Sequence, residues 1–259
     1  MNLTKNRFGF AFAVNALGFT LGAASLFGLA TSARADTVEL HGGTSIIATV
    51  INPYRADVEK KTGHKLSLVG NSVGAGLVDL IDGKADASLA SGSLDLAVAA
   101  AEIAGKKVDP KSLQFHEVGK DEVVFIIHPA NPVTALSIEQ LRDIWLGKIT
   151  NWKQAGGKDL LITLYAEPAT GGTRAFVKKS VMGGSEYLAT TKSLISANRI
   201  GEMVPNDESG IGFLGKDIAN SKSKIVQTKK LERPLGFITV GAPSAKVKQV
   251  IDAFKVANK

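Results

Sequence analysis

A chain of 259 residues, 44% of them hydrophobic, can bury either one large core or two cores of about a hundred residues each. It contains no cysteine, which excludes disulfides, a thiol nucleophile, cysteine-based metal sites and a lipidated N-terminal cysteine. The formal charge of +7 comes without any run of like charges, so a nucleic-acid arm is excluded; the pairs Lys106-Lys107, Lys178-Lys179 and Lys229-Lys230 read as solvated surface.

The chain opens with Lys5 and Arg7, an almost uncharged run from Phe8 to Ala30, and then Ser32-Ala33-Arg34-Ala35. This is the layout of a cleavable secretory signal with an A-x-A site ending at Ala35. The run is also long enough to span a bilayer, so a retained anchor is the alternative. The small-x-small site directly after the run, and ordinary soluble composition from Asp36 onward, favour cleavage. Residues 1–35 are therefore expected as a signal peptide. Its loss takes away Lys5, Arg7 and Arg34 and no acid, leaving an exported, periplasmic chain with a formal charge of +4.

After Asp36, strand patterns alternate with helical ones. Val38-Glu39-Leu40 predicts a short strand, His41-Gly42-Gly43-Thr44-Ser45 a tight turn, and Ile47, Ile51, Tyr54 and Val58 the apolar face of a helix. Leu66 to Val69 repeats the arrangement, with Gly70 to Gly76 as the turn and Leu77, Leu80 and Ile81 on the following helix. Ala85 to Ser91 reads as a third short strand ending in small hydroxyl residues. Five consecutive apolar residues, Val123 to Ile127, suit a strand buried on both faces, which Asn131-Pro132 ends. Ser137 then reads as an N-cap with Gln140 at the capping-box position, ahead of Leu141, Ile144 and Trp145. Leu161 to Tyr165 predicts a strand, and Glu167 to Arg174 leads into a helix carrying Phe176, Val177 and Val181. A last strand, Leu235 to Val240, precedes Ser244 as a cap and Val247, Val250, Ile251 and Phe254 at helical spacing. Strands followed by helices imply an α/β fold with a largely parallel sheet.

Chemical content resides in glycine- and hydroxyl-rich loops that open helices, at Gly42 to Ser45, Ser72 to Gly76 and Gly171 to Thr173. The first amides of a helix have no internal acceptor and lie at its positive end, so such a loop can hold an anion. A single loop of this kind more often only turns and caps the chain. Three of them in alternating strand–helix units gather at the carboxyl ends of the strands, where doubly wound sheets bind ligands. Other chemistry finds no support. His41, His64, His116 and His128 lack metal-ligand spacing, Gly171-Gly172-Thr173-Arg174 lacks the Lys-Ser/Thr of a P-loop, and there is no G-x-S-x-G elbow. Trp145 and Trp152 fit a packed helix and its following turn.

The segment Leu136-Ser137-Ile138-Glu139-Gln140-Leu141-Arg142-Asp143-Ile144-Trp145-Leu146-Gly147-Lys148-Ile149-Thr150-Asn151-Trp152 resembles the diagnostic stretch of the phosphate-type substrate-binding proteins of ABC transporters. Gly83-Lys84-Ala85-Asp86, Gly172-Thr173-Arg174, Ser209-Gly210-Ile211-Gly212-Phe213 and Arg233-Pro234-Leu235 agree in order, so the resemblance covers nearly all of the expected mature chain. It implies a type 2 periplasmic-binding-protein fold of two α/β lobes. Residues 36–125 and 236–259 would form the first lobe, residues 126–235 the second, and two crossover strands would join them near Val123 to His128 and Pro234 to Val240.

A ligand in the cleft between such lobes would meet Thr44, Ser45, Ser72, Ser91, Gly172, Thr173 and Arg174. The family's arginine position is Glu167 here, its Ser-Gly-Thr triplet reads Gly171-Gly172-Thr173, and Ser91 stands where an acidic acceptor is common. Its serine in the second loop falls near Val73 or Gly74, with Ser72 adjacent. Arg174 would either contact the ligand or neutralise Glu167, and Glu167 would point either into the cleft or out of it. The implied role is capture of a small oxyanion, phosphate or a related anion, for a membrane permease, by a monomer without cofactor, metal, nucleic acid or catalysis. The second reading is a sensory or adhesive protein that kept the scaffold with altered or lost ligand specificity.

Overall fold

The computed structural model describes residues 36–258; the expected signal segment lies outside the described residues. Strand β1 (Thr37–Gly42) buries Val38 and Leu40. Gly43 then starts a helix that runs as α1 (Thr44–Ile46), a π turn over Ile47–Ile51 and α2 (Asn52–Thr62). Gly63 ends it at φ 73°, the left-handed conformation that glycine adopts without penalty. The unit repeats in β2 (Lys65–Gly70), α3 (Val73–Ile81), β3 (Ala87–Ser91) and α4 (Leu94–Ile103). β4 (Leu113–Ile127) follows, then α5 (Ile138–Trp145), whose Ser137/Gln140 capping box forms as its sequence predicts. The chain continues through β5 (Thr163–Ala166), α6 (Gly172–Ser180), β6 (Lys192–Ser193), α7 (Ala197–Met203), β7 (Gly210–Gly215) and β8 (Lys224–Val226). It closes with β9 (Glu232–Val240) and α8 (Ala245–Ala257), capped by Ser244.

The sheet order is β2-β1-β3-β9-β4-β7-β5-β6, with β8 paired to β4. β1 runs parallel to β2 and β3, and β5 runs parallel to β6 and β7. Between these two parallel sets lie β4 and β9, antiparallel to each other from Leu113↔Val240 to Glu122↔Glu232. The far half of β4 instead pairs with β7 and β8, so one strand serves both sets. Helices pack the sheet from both sides. Val38, Leu40, Ile51, Leu89, Phe237 and Phe254 belong to one core of the first lobe, and Leu77, Ala90, Ala97, Ala101 and Ile238 to the other. In the second lobe Phe125, Leu141, Trp145, Trp152, Val177 and Phe213 form one core, and Val124, Ile126, Ile200, Val204 and Leu214 the other. The result is the two-lobed α/β fold that the resemblance implies. Among the described residues no helix is long and apolar enough to cross a membrane.

Three elements exceed the local signals. β4 begins at Leu113, ten residues before the apolar run, because its first half mixes exposed polar residues with buried ones and draws order from β9. β7 is a fully buried strand with glycines at 210, 212 and 215, where propensity alone argues against a strand. A Cβ on Gly212 would lie 2.4 Å from Ile200 Cγ2, so the small residue is what lets α7 sit on the sheet. α4 buries only alanines, Ala97, Ala100 and Ala101, and a Cβ on Gly74 would meet the Ala100 carbonyl at 2.2 Å; α3 and α4 pack too closely for large side chains.

The aromatic centre of the second lobe gives a stability test. Phe213 contacts Trp145, Phe125 and Tyr187 at centroid distances of 4.9, 5.9 and 6.1 Å. Phe213→Ala is expected to lower unfolding free energy by about 3–5 kcal/mol, measured by urea denaturation.

Candidate functional site

The carboxyl ends of β1, β2, β3 and β5 converge on one cleft. The first lobe contributes Gly43, Thr44, Ser45, Asn71, Ser72, Val73 and Ser91, and the second contributes Glu167, Pro168, Gly171, Gly172, Thr173 and Ile195. Six of the seven ligand residues expected from the sequence are thus brought together. The seventh, Arg174, is not. Its Nη1 donates to the Glu167 carbonyl at 2.9 Å, its guanidinium lies 4.5 Å from the centre of the Tyr187 ring, and it lines a separate groove beside Leu96 and Lys178. Arg174 therefore neither walls the cleft nor pairs with the Glu167 carboxylate.

The walls are close. Gly74 N donates to the Thr170 carbonyl across the lobes at 3.1 Å, and a Cβ on Gly172 would lie 2.6 Å from both the Ser91 carbonyl and Val73 Cγ2. Ser45 Oγ and Thr173 Oγ1 stand 3.5 Å apart, and at the rim Lys179 Nζ reaches Asp95 at 2.7 Å, holding that carboxyl below its ordinary range. The free volume left between the walls is about 10 Å³, the size of one water position. This is the closed arrangement of the lobes.

Donors of two kinds face that space. The first is the helix end: Gly43, the N-cap of α1, has no side-chain acceptor of its own and leaves the first amides of that helix for other partners. Ser72, by contrast, caps α3 by accepting from Ala75 N at 3.1 Å. Hydroxyls come second. Ser45, Ser91 and Thr173 are buried, and Ser91 Oγ, on a residue only 2% exposed, has no protein partner. Such a group costs free energy unless something in the cleft bonds it.

One further residue supports the cleft without lining it and was not visible as a site residue in the sequence. Arg233, on β9, is directly opposite Asp121 of β4, and neither side chain is more than 1% exposed. Its Nε and Nη2 donate to Asp121 Oδ2 at 3.2 and 2.7 Å, and its Nη1 donates to Thr173 Oγ1 at 2.9 Å. Thr173 Oγ1 thus accepts from a cation, and it also stands 3.5 Å from Ser45 Oγ across the cleft. Burial pushes the Asp121 carboxyl up, against the opposing pull of Arg233. The Arg233-Pro234-Leu235 motif was the available signal, but local reading gives it no direction.

Glu167 points into the cleft. Only 5% exposed, its Oε2 accepts the Thr173 amide at 3.0 Å, filling the N-terminus of α6 with the protein's own carboxylate. A Cβ on Gly171 would sit 2.7 Å from both Glu167 Cβ and Oε2. Glycine in place of the serine of related triplets is thus what makes room for the glutamate. The histidines stand away from the cleft with local partners: His41 with Asp79, His64 with Gln249, His116 with Thr239, and His128 accepting from Ala130 N.

The PBP superfamily domain matches residues 30–254. The phosphate-binding protein PstS of Bacillus subtilis (strain 168) is 35% identical over 108 residues, 41% of this chain and 35% of that one. The phosphate-binding protein PstS of Staphylococcus saprophyticus is 27% identical over 227 residues, covering 84% of this chain and 69% of the relative. The matched region thus spans about a third of one relative and two thirds of the other. Among solved structures, a Clostridium perfringens chain with bound phosphate, provisionally assigned as the substrate-binding protein of a phosphate ABC transporter, superposes with a TM-score of 0.73. It is 23% identical, over 84% of this chain and 92% of its own, a likeness of fold.

The buried pair makes the site testable without any ligand. Arg233→Met leaves Asp121 buried without its cation and is expected to cost about 3–5 kcal/mol in urea denaturation, whereas adding Asp121→Leu to it recovers most of that loss.

Proposed function

Because this chain belongs to the PBP superfamily, we propose that it is an exported solute-binding protein that captures phosphate between its lobes and hands it to the permease of an ABC transporter. The observation that carries this reading is the meeting, on one closed cleft, of helix N-termini with three buried hydroxyls, one of them unpartnered. Relatives named for phosphate binding, one of them matched over 84% of this chain, support the choice of ligand. Holding a tetrahedral oxyanion needs amide and hydroxyl donors in a dry space and no bond-breaking group, so the role is binding and not catalysis.

In this reading the protein is a periplasmic monomer released by cleavage after Ala35, with residues 36–125 and 236–259 as one lobe and 126–235 as the other. The lobes open by bending at β4 and β9, which lie between the two parallel sets of strands, and they close when ligand bridges Ser45 and Ser91 to Thr173. Thr44, Ser72 and Gly172 complete the walls. The alternative of a sensory or adhesive protein on the same scaffold draws on one observation, the carboxylate of Glu167 in the cleft.

Titration calorimetry separates the two. Orthophosphate is expected to bind one to one and to raise the melting temperature; no heat and no shift would refute the phosphate reading. Thr173→Val and Ser91→Ala are each expected to weaken phosphate binding by about 10- to 150-fold, the equivalent of ~1.5–3 kcal/mol for a hydrogen bond to a charged group. Arg174→Ala, outside the cleft, should leave affinity nearly unchanged.

Export has its own check. Mass spectrometry of the secreted protein should find Asp36 at the N-terminus, and an intact Phe8 to Ala30 segment would disprove cleavage.

A further inference from the structure

We infer that the groove between α4 and α6 is a second ligand site, for a small amphipathic carboxylate, and that its occupant holds the lobes together. The site lies behind the cleft wall rather than in the cleft, and only its coupling to phosphate rests on the phosphate reading above.

Its basis is a cavity of about 310 Å³ whose lining is divided between the lobes. That volume is at the lower end of the range for pockets that hold small organic molecules. On one side α4 of the first lobe supplies Leu96, Ala99 and Ile103; on the other α6 of the second lobe supplies Arg174, Ala175 and Lys179. Small residues on both helices leave the space between them. Ile103 is 57% exposed, apolar surface that a hydrocarbon group in the groove would cover. At the rim the two helices meet where Lys179 Nζ reaches Asp95 at 2.7 Å.

The cations of this lining are not equivalent. Lys178 is paired with Glu186, and Lys179 with Asp95. Arg174 has no carboxylate partner among the described residues, and of the five N–H donors of a guanidinium it uses one, on the Glu167 carbonyl at 2.9 Å. The group lies 4.5 Å from the centre of the Tyr187 ring, and that ring is itself fixed. Tyr187 is buried, its hydroxyl donates to the Arg174 carbonyl at 2.8 Å, and its ring meets Trp145 edge-on at 5.6 Å. A guanidinium held against an aromatic face presents its remaining donors as a fixed fork, which suits a carboxylate bound through two parallel hydrogen bonds. An apolar wall beside an oriented cation without a counter-charge fits a molecule with one carboxylate and a short hydrocarbon body.

Position in the fold ties this groove to the cleft. Thr173 and Arg174 are consecutive on α6, the first walling the cleft and the second the groove. Because the two sides of the groove belong to different lobes, opening the cleft also pulls the groove apart. A molecule that bridges Arg174 and α4 therefore binds the closed arrangement alone. By linkage it raises the affinity for any other ligand of the closed arrangement, and that ligand raises its affinity by the same factor.

The test is calorimetric titration of the mature chain with octanoate, and with octanamide as its uncharged counterpart, in the presence and absence of saturating phosphate. Octanoate is expected to bind one to one, and octanamide at least about tenfold more weakly, as the loss of a charged hydrogen bond implies. Arg174→Gln is expected to reduce octanoate binding to the level of octanamide. Ala99→Trp, at an exposed helix position, fills the groove from the first lobe without touching the arginine and should abolish octanoate binding. Saturating phosphate is expected to strengthen octanoate binding by at least about fivefold, and octanoate to strengthen phosphate binding equally. No heat from octanoate in a protein that binds phosphate overturns the groove site and leaves the phosphate reading standing. Equal binding of octanoate and octanamide marks a purely apolar face and also overturns the site, as does octanoate binding that survives both substitutions in variants that melt normally. Octanoate binding that is indifferent to bound phosphate refutes the shared closed state. Octanoate binding by a protein that takes no phosphate upholds the groove site and overturns the phosphate reading; binding of neither overturns both.

Discussion

The ladder between β4 and β9 carries everything else in this molecule. These are the strands common to both lobes, and their antiparallel pairing places Asp121 opposite Arg233 at the point where the two parallel sets of strands meet. A guanidinium this deeply buried is tolerable only if its donors are met, and here two go to a carboxylate and one to Thr173 at the mouth of α6. One residue thereby links the backbone that joins the lobes to a hydroxyl that faces between them. Buried ion pairs of this kind add little net stability over an apolar pair of the same volume, but they impose a geometry. What the geometry supplies here is a fixed position for the Thr173 hydroxyl.

The cleft above that pair follows from how strand–helix units are wound. Each parallel strand ends in a tight turn and hands the chain to a helix whose first amides lack internal partners, so the carboxyl edge of the sheet becomes a row of donors. Glycine at Gly43, Gly171 and Gly172 keeps these ends free of bulk. The consequence differs between the lobes. The α1 end keeps its amides available, while the α6 end is already occupied by Glu167. A cleft with donors on one side and a fixed carboxylate on the other is electrically asymmetric, and this asymmetry distinguishes it from a site that relies on a bidentate arginine at the same wall.

Glu167 and Gly171 also show that two departures from a family pattern can be one event. Read separately, an acidic residue at an arginine position and a glycine at a serine position both look like losses. In three dimensions the glycine supplies the space in which the carboxylate reaches the Thr173 amide. A helix terminus accepts an anionic side chain as readily as an anionic ligand, since both answer the same unsatisfied amides and the same dipole.

What the sequence by itself determined were features whose causes act over a few residues. The strand, turn and helix order, the Ser137–Gln140 capping box, the Ser244 cap, the buried stripe of Leu141, Ile144 and Trp145, and the burial of Val123 to Ile127 follow from periodicity and capping. The same local signals singled out the loops of Thr44, Ser45, Ser72, Gly172 and Thr173, because glycine and hydroxyl residues at the start of a helix have few uses, while Ser91 at the end of β3 came with the family resemblance. Tertiary structure alone decided the rest. Arg233 meets Thr173 across 60 residues of sequence, Arg174 turns to Tyr187 and the Glu167 carbonyl rather than to the Glu167 carboxylate, and the first half of β4 becomes a strand only against β9. Each of these depends on which long-range partner can meet a buried charge or an unpaired backbone group, and that choice exists only once the lobes have packed.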